Sequence, residues 1–352
     1  MPTLFDPLDL GSLRLPNRVV MAPLTRARAG DSRLPNDLMR DYYVQRASAG
    51  LILTEATSVE PMGVGYAGTP GIWSDAQMTG WSRITEAVHA AGGRIALQLW
   101  HVGRISHPMF LNGADPIAPS AIAAEGNISL VRPKQAYPTP RALETAEVKG
   151  VVEAFRRGAV NAKRAGFDGV EIHGANGYLV DQFLQTASNR RSDAYGGSVE
   201  NRARLMLEVA DAVSDVWGAD RVGMHLAPRG DAHSMGDEDP AATFGYVADE
   251  LGRRGLGYLC VREYLGEGRL GPELKRRFGG AYIANERFTL ETARQVLAAG
   301  EADAVAFGQL FIANPDLPRR FAENAPLNEP NVHTYYAEGP TGYVDYPALE
   351  TV

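Results

Sequence analysis

The sequence predicts a single closed (β/α)8 barrel, on three observations. Eight short apolar runs rich in Val, Ile and Leu recur along the chain, a longer amphipathic stretch follows each, and no break in composition interrupts the 352 residues. Continuous apolar runs suit strands covered on both faces, as in a parallel sheet. They lie at 19–24, 51–56, 94–100, 169–173, 222–226, 257–261, 281–284 and 303–307. Barrels of this kind commonly run as one domain at this length, so residues 1–352 are read as one unit.

The intervening stretches read as helices. Residues 201–217 place Leu205, Val209, Val213 and Val216 on one face, after Ser198 as a candidate cap. Ser74 with Gln77 makes a capping box before the next helical pattern, and Asn314-Pro315 is another start signal. Gly92, Gly166, Gly255 and Gly300 sit where helices should stop ahead of strands. The opening segment Leu10-Gly-Ser-Leu-Arg-Leu reads as a short hairpin plugging the barrel bottom. Residues 101–143, rich in Pro, Ala and Gly, are too long for an ordinary loop after the third strand and read as a lid or insertion over the mouth. A doubly wound open sheet is the competing architecture. It usually needs a Gly-rich first turn, which Thr25-Arg-Ala-Arg-Ala-Gly does not supply.

Composition narrows the partners. A net charge of −7, from 35 basic and 42 acidic residues without a Lys/Arg tract, argues against nucleic acid or an anionic membrane surface. One cysteine, Cys260, allows neither a disulfide framework nor a Cys-based metal site. The N-terminus has no basic, apolar leader pattern, and no run of ~18 apolar residues occurs. The expectation is a cytoplasmic monomer or homodimer acting on small molecules.

In a (β/α)8 barrel the active site lies at the C-terminal ends of the strands. Here those ends supply Thr25, Glu55–Ala56, Gln98, His173, His225, Arg262, Asn285 and Gly308. Turn chemistry explains some of these polar residues. It does not explain Gln98 inside Leu97-Gln98-Leu99-Trp100, where a lone amide is costly to bury without a partner. The fourth strand carries the densest signal, Glu171-Ile-His173-Gly-Ala-Asn176-Gly-Tyr178. On spacing alone two readings stand about even. One is a hydrogen-bonding site with a weak acid; the other is a core histidine followed by a glycine-rich turn with Tyr178 as packing.

At these residues the sequence resembles the Old Yellow Enzyme family, in its bacterial branch of nitroester, enone and N-ethylmaleimide reductases. The likeness includes Met21-Ala-Pro-Leu-Thr-Arg26, Tyr43-x-Gln-Arg-Ala-Ser-Ala-Gly50, Glu55-Ala-Thr57 and Gln98-Leu-Trp-His101-x-Gly-Arg104. It continues through His173-Gly-Ala-Asn-Gly-Tyr178, Ser188-Asn-Arg190, Asp193-x-Tyr-Gly-Gly-Ser-Val-Glu-Asn-Arg202, Phe311-Ile-Ala-Asn-Pro-Asp316 and Gly342-Tyr-Val-Asp-Tyr-Pro347. The resemblance implies bound FMN, with NADPH or NADH as a transient hydride donor. It implies ping-pong reduction of activated alkenes such as enones, maleimides and nitroalkenes, with nitroesters as a further class, through flavin N5. His173 and Asn176 would bind the substrate oxygen and Tyr178 would donate the proton. Pro23, Leu24, Thr25, Ala56, Gln98, His225, Asn285, Gly308 and Gln309 would contact the flavin, and Tyr66, Trp100 and Tyr343 would line the substrate pocket. Such a mechanism needs no dinucleotide-binding fingerprint, and the sequence has none.

Two positions depart from the family pattern. Many members carry arginine where His225 stands, facing flavin N1, and another where Gln309 stands, gripping the phosphate. Arg229, Arg262 and Arg287 are the candidate substitutes, and a protonated His225 would also restore a charge. Threonine at position 25, where another branch has cysteine, places the chain in the larger branch. Among competing classes, a metal-dependent hydrolase would need a clustered imidazole and carboxylate set. A Schiff-base aldolase would need a strand-end lysine, yet Lys134, Lys149, Lys163 and Lys275 all fall in loops or helices. A flavin-binding barrel with lost activity is the third alternative, against which the retained Tyr178, His173 and Asn176 argue.

Overall fold

In the computed structural model, which describes residues 2–350, eight parallel strands close into a barrel. They are β1 (Val19–Met21), β2 (Leu51–Leu53), β3 (Ile95–Trp100), β4 (Gly169–Gly174), β5 (Val222–Leu226), β6 (Tyr258–Arg262), β7 (Ala281–Asn285) and β8 (Ala304–Phe307). Each pairs with its successor, and β8 returns to β1 with Val305 opposite Val19. Sequential order with closure rules out the doubly wound sheet.

The strands read as unbroken apolar runs because both of their faces are covered. All residues of β3, β4 and β5 are buried. Outward side chains meet the surrounding helices. Inward ones at the lower end pack with Leu10, Leu13 and Leu15 of the N-terminal hairpin, which pairs Leu8–Leu10 with Leu13–Leu15 and plugs the bottom as the sequence predicts. Cys260 lies in this interior layer, where burial pushes its thiol up and makes it a poor nucleophile.

Ser74 caps the helix Asp75–Ala90 by accepting from Gln77 N, and Gln77 answers in a reciprocal capping box. Ser198 caps Val199–Trp217 by accepting from Asn201 N alone. The four glycines read as helix stops take φ of +69° to +82°, the left-handed conformation that glycine tolerates. Asn314-Pro315 does not start a helix. It separates the short helix Gln309–Ala313 from Leu317–Glu323, whose cap position is Asp316. Asn314 instead uses its amide to bond the carbonyls of Leu310 and Asn328, a breakpoint role rather than a cap.

The insertion at 101–143 carries a two-residue pairing of Ile117–Ala118 with Arg141–Ala142 and a single bridge between Asn127 and Ala136. No helix among the described residues is long and apolar enough to cross a membrane.

Candidate active site

A cavity of about 1130 Å³ opens at the C-terminal ends of the strands. Pockets for one small molecule run to ~300–1,000 Å³, so this volume suits a cofactor together with a substrate. Of the residues singled out from the sequence, Pro23, Leu24, Thr25, Tyr66, Asn176, Tyr178, His225, Asn285, Gly308 and Gln309 line it. The insertion contributes Asn127, Ile128, Ser129, Leu130, Arg132 and Lys134.

The fourth strand delivers its cluster as one unit. The His173 ring lies between two lining side chains, 5.0 Å from the Tyr178 ring and 5.5 Å from that of His225. Burial, followed by the charges of His225, Arg262 and His233, pushes its pKa well below the usual imidazole value, so His173 is neutral. Its Nδ1 is buried without a partner. Tyr178 stands edge-on to Trp100 at 5.0 Å and shares a 2.9 Å hydrogen bond with the Tyr66 hydroxyl. Burial raises the Tyr178 pKa, so the phenol keeps its proton at every working pH. Asn176 adopts φ +59°, a conformation asparagine accepts more readily than most residues.

Of the three candidate arginines, Arg262 and Arg287 line the cavity, and Arg262 is the one bonded to a predicted site residue. It lines the wall and donates from Nη1 to Asn176 Oδ1 at 2.9 Å, while its Nε pairs with Glu286. With Oδ1 taken, the Asn176 NH2 is the group left to serve a ligand. Arg229 turns away to Glu263 at 2.8 Å and to the carbonyls of Tyr264 and Glu267. Arg287 lines the mouth with a side chain 81% exposed. Arg132, Lys134, Arg262 and Arg287 face Glu286 as the one acid of the lining, so a protein of net charge −7 presents a cationic cavity. Such a wall favours anionic ligands.

Five of the expected site residues do not line the cavity. His173 and Trp100 stand just beneath its surface, Trp100 stacked on Tyr66 at 5.5 Å. Gln98 is held lower, where its Nε2 donates to Glu171 Oε1 at 2.8 Å. Its burial is therefore explained by a protein partner and is not by itself a sign of a cofactor. Ala56 packs into a buried cluster with Tyr66, Trp100 and Ile128. Tyr343 is the clear correction. It is fully buried, stacked on Tyr42 at 4.1 Å with the Arg26 and Arg28 guanidinium groups over its ring, and it closes the C-terminal segment rather than the pocket.

Three contributors went unassigned from sequence. Glu171 accepts from His225 Nδ1 at 3.2 Å as well as from Gln98. The spacing Glu171-x-His173 did signal that both point to one face. His233 lines the cavity and contacts the Asn176 carbonyl through Nδ1 at 2.7 Å, from an irregular turn with no sequence signature. Glu55 accepts from the backbone N–H groups of Arg26 and Ala27, both at 3.1 Å, and so fixes the loop that carries Thr25.

Asn176 and Tyr178 line the mouth of a cationic barrel with His173 behind them, and the fold that carries them is that of a flavin-dependent oxidoreductase. The chain belongs to the NADH:flavin oxidoreductase / NADH oxidase family, whose model matches residues 3–328. This is the Old Yellow Enzyme family that the motifs resemble. The rice protein 12-oxophytodienoate reductase 1 (Oryza sativa subsp. japonica) is 43% identical over 362 residues, covering 99% of this chain and 94% of its own. A probable flavin mononucleotide-dependent alkene reductase of Leishmania infantum is 41% identical, with 98% of this chain and 97% of its own covered. Morphinone reductase in complex with tetrahydroNAD superimposes with a TM-score of 0.96 at 52% identity, over 99% of this chain and 98% of the other.

The family's FMN fits this cavity on features of the chain itself. His225 Nε2 is buried without a partner in a residue that lines the wall. An unpartnered ring nitrogen in the wall is a contact point for the polar edge of a bound flavin.

Proposed function

We propose that the chain is an NAD(P)H-dependent alkene reductase acting on activated C=C bonds, as in enones, maleimides and nitroalkenes. The observation that carries this reading is that Asn176 and Tyr178 line one cationic cavity, with the His173 ring packed directly behind them, 5.0 Å from the Tyr178 ring. Thr25, His225, Asn285 and the backbone at Gln309 are among the residues that would hold FMN, which would supply the two-electron hydride chemistry between nicotinamide and alkene. The carbonyl or nitro oxygen is bound by an N–H of neutral His173 and by the Asn176 amide. Donors fixed in place favour the charge that develops on that oxygen. Tyr178 then gives its phenolic proton to the α-carbon. Tyr66, 2.9 Å away, is placed to pass a proton back to it. Nitroesters offer the same polarised oxygen and form a further class.

The visible spectrum of the purified protein is expected to show flavin bands that bleach with NADPH under anaerobic conditions and return on adding 2-cyclohexenone. A colourless protein that takes up no added FMN ends this reading.

Arg262 acts through Asn176. Its hydrogen bond joins a charged donor to a neutral acceptor, a class worth about 1.5–3 kcal/mol. Arg262→Leu is expected to raise KM for 2-cyclohexenone about tenfold with a smaller change in kcat, as the Asn176 amide loses its fixed orientation. Steady-state kinetics over a range of enone concentrations separates the two.

A further inference from the structure

Beneath the cavity floor, parallel pairing puts Gln98 opposite Glu171 and His173 opposite His225. The result is a buried polar layer above an apolar plug. Glu171 is fully buried and His225 2% exposed. The Glu171 carboxylate accepts from Gln98 Nε2 at 2.8 Å and from His225 Nδ1 at 3.2 Å. In the tautomer with its proton on Nδ1 the ring donates to this carboxylate, while Gln98 Nε2 also lies 3.4 Å from that nitrogen. The opposite atom, Nε2, is buried and has no partner, in a ring that lines the cavity.

We propose that Glu171 and His225 form a proton-accepting dyad that protonates His225 at Nε2 when the bound cofactor becomes anionic, and releases that proton when the negative charge leaves. This inference rests on the FMN-dependent reading above and adds a second, protein-borne proton to the redox step. Nε2–H buried without an acceptor would be costly, so the second proton enters only when a negative group lies in the cavity. Glu171 offsets the imidazolium charge from the other side, much as a carboxylate does in a carboxylate–histidine pair. The arginine common at this position in the family carries its charge permanently; a histidine backed by a carboxylate carries it only in the reduced state.

The titratable and charged groups around His225 are consistent with a single added proton. Glu171 and His173 come from β4, Cys260 and Arg262 from β6, and His233 from the turn after β5. His173 stays neutral beside it and Cys260 stays a thiol. Arg262 is paired with Glu286, which leaves Glu171 as the acid in direct contact with His225 among the described residues.

In balance, oxidised FMN takes two electrons and one proton to give the anionic reduced form, and His225 takes one further proton from solvent. For a two-electron couple a tenfold change in equilibrium is about 30 mV, so each proton taken up lowers the midpoint potential by that amount per pH unit. The test is the midpoint potential of FMN in the holoprotein, equilibrated with a reference dye from pH 5 to 9. The expected result is a two-proton slope, twice the one-proton value, over at least one pH unit, with the reduced spectrum remaining anionic. His225→Gln, which keeps a donor but cannot titrate, is expected to restore the one-proton slope throughout. Glu171→Gln is expected to move the two-proton window to lower pH. A one-proton slope across the whole range in the wild type overturns the proposal. So does a steep slope that survives His225→Gln, or one accompanied by the spectrum of neutral reduced flavin. Failure to bind FMN would instead strike the parent reading.

Discussion

Tyr178→Phe is expected to slow the reaction of the reduced enzyme with 2-cyclohexenone by about 10²- to 10⁴-fold, the range that a positioned general acid contributes. The substitution is a clean one in this setting. The phenol ring packs edge-on against Trp100 at 5.0 Å and against His173 at 5.0 Å, and phenylalanine keeps both contacts. Only the hydroxyl and its 2.9 Å bond to Tyr66 are lost. Reduction by NADPH uses no proton from Tyr178, so its rate should stay within a few-fold of wild type. Stopped-flow absorbance resolves the two half-reactions. Equal slowing of both would mean that Tyr178 shapes the cavity rather than supplying the proton. Tyr66→Phe should cost far less, since Tyr178 keeps its own proton.

Much of this was legible in the sequence, and the parts that were not share a physical reason. The strands announced themselves because a strand covered on both faces must be apolar throughout, as β3 and β4 are. The rule that chemistry sits at strand C-termini then picked out Thr25, His225, Arg262, Asn285 and Gly308, which line the cavity, along with Gln98 and His173, which do not. Register was not legible. Nothing in either segment says that Gln98 lies opposite Glu171, and this one pairing turns an apparently orphaned amide into a satisfied one. Tyr343 misled for a related reason. Its place is set by Tyr42 and Arg26, some 300 positions earlier, and aromatic stacking under a guanidinium at 5.0 Å leaves no local trace. Arg262 was one of three candidate arginines, and nothing local announces that the backbone after β4 brings Asn176 within 2.9 Å of it.

The second large effect concerns stability and its dependence on pH. Glu55 is 1% exposed, and burial raises its pKa from 4.5 to about 7, against the pull of two backbone N–H donors and of Arg26 and Arg28. In the unfolded chain the carboxyl titrates near 4.5. The folded state therefore binds this proton more tightly, and the sign follows from linkage. Below 4.5 the group is protonated in both states, and the folded form carries no charge cost. As pH rises through the window from 4.5 to about 7, the unfolded chain loses its proton first and stability declines. At about 1.4 kcal/mol per pKa unit, the decline reaches on the order of 3 kcal/mol at full ionisation. Glutamine resembles the protonated acid, and its carbonyl can still accept from Arg26 N and Ala27 N, so Glu55→Gln should remove this slope. Oε1 of Glu55 has no partner, which leaves the new NH2 group without one as well and gives the variant a roughly constant cost. The measurable quantity is the difference in unfolding free energy between variant and wild type, from urea titrations at pH 5 and pH 8. Relative to wild type, Glu55→Gln is expected to be about 2–3 kcal/mol better at pH 8 than at pH 5. Other groups, such as the buried neutral His173, titrate equally in both proteins and cancel in that difference. A difference that does not change with pH would mean that Glu55 is already ionised at pH 5, held so by Arg26 and the two amides it binds.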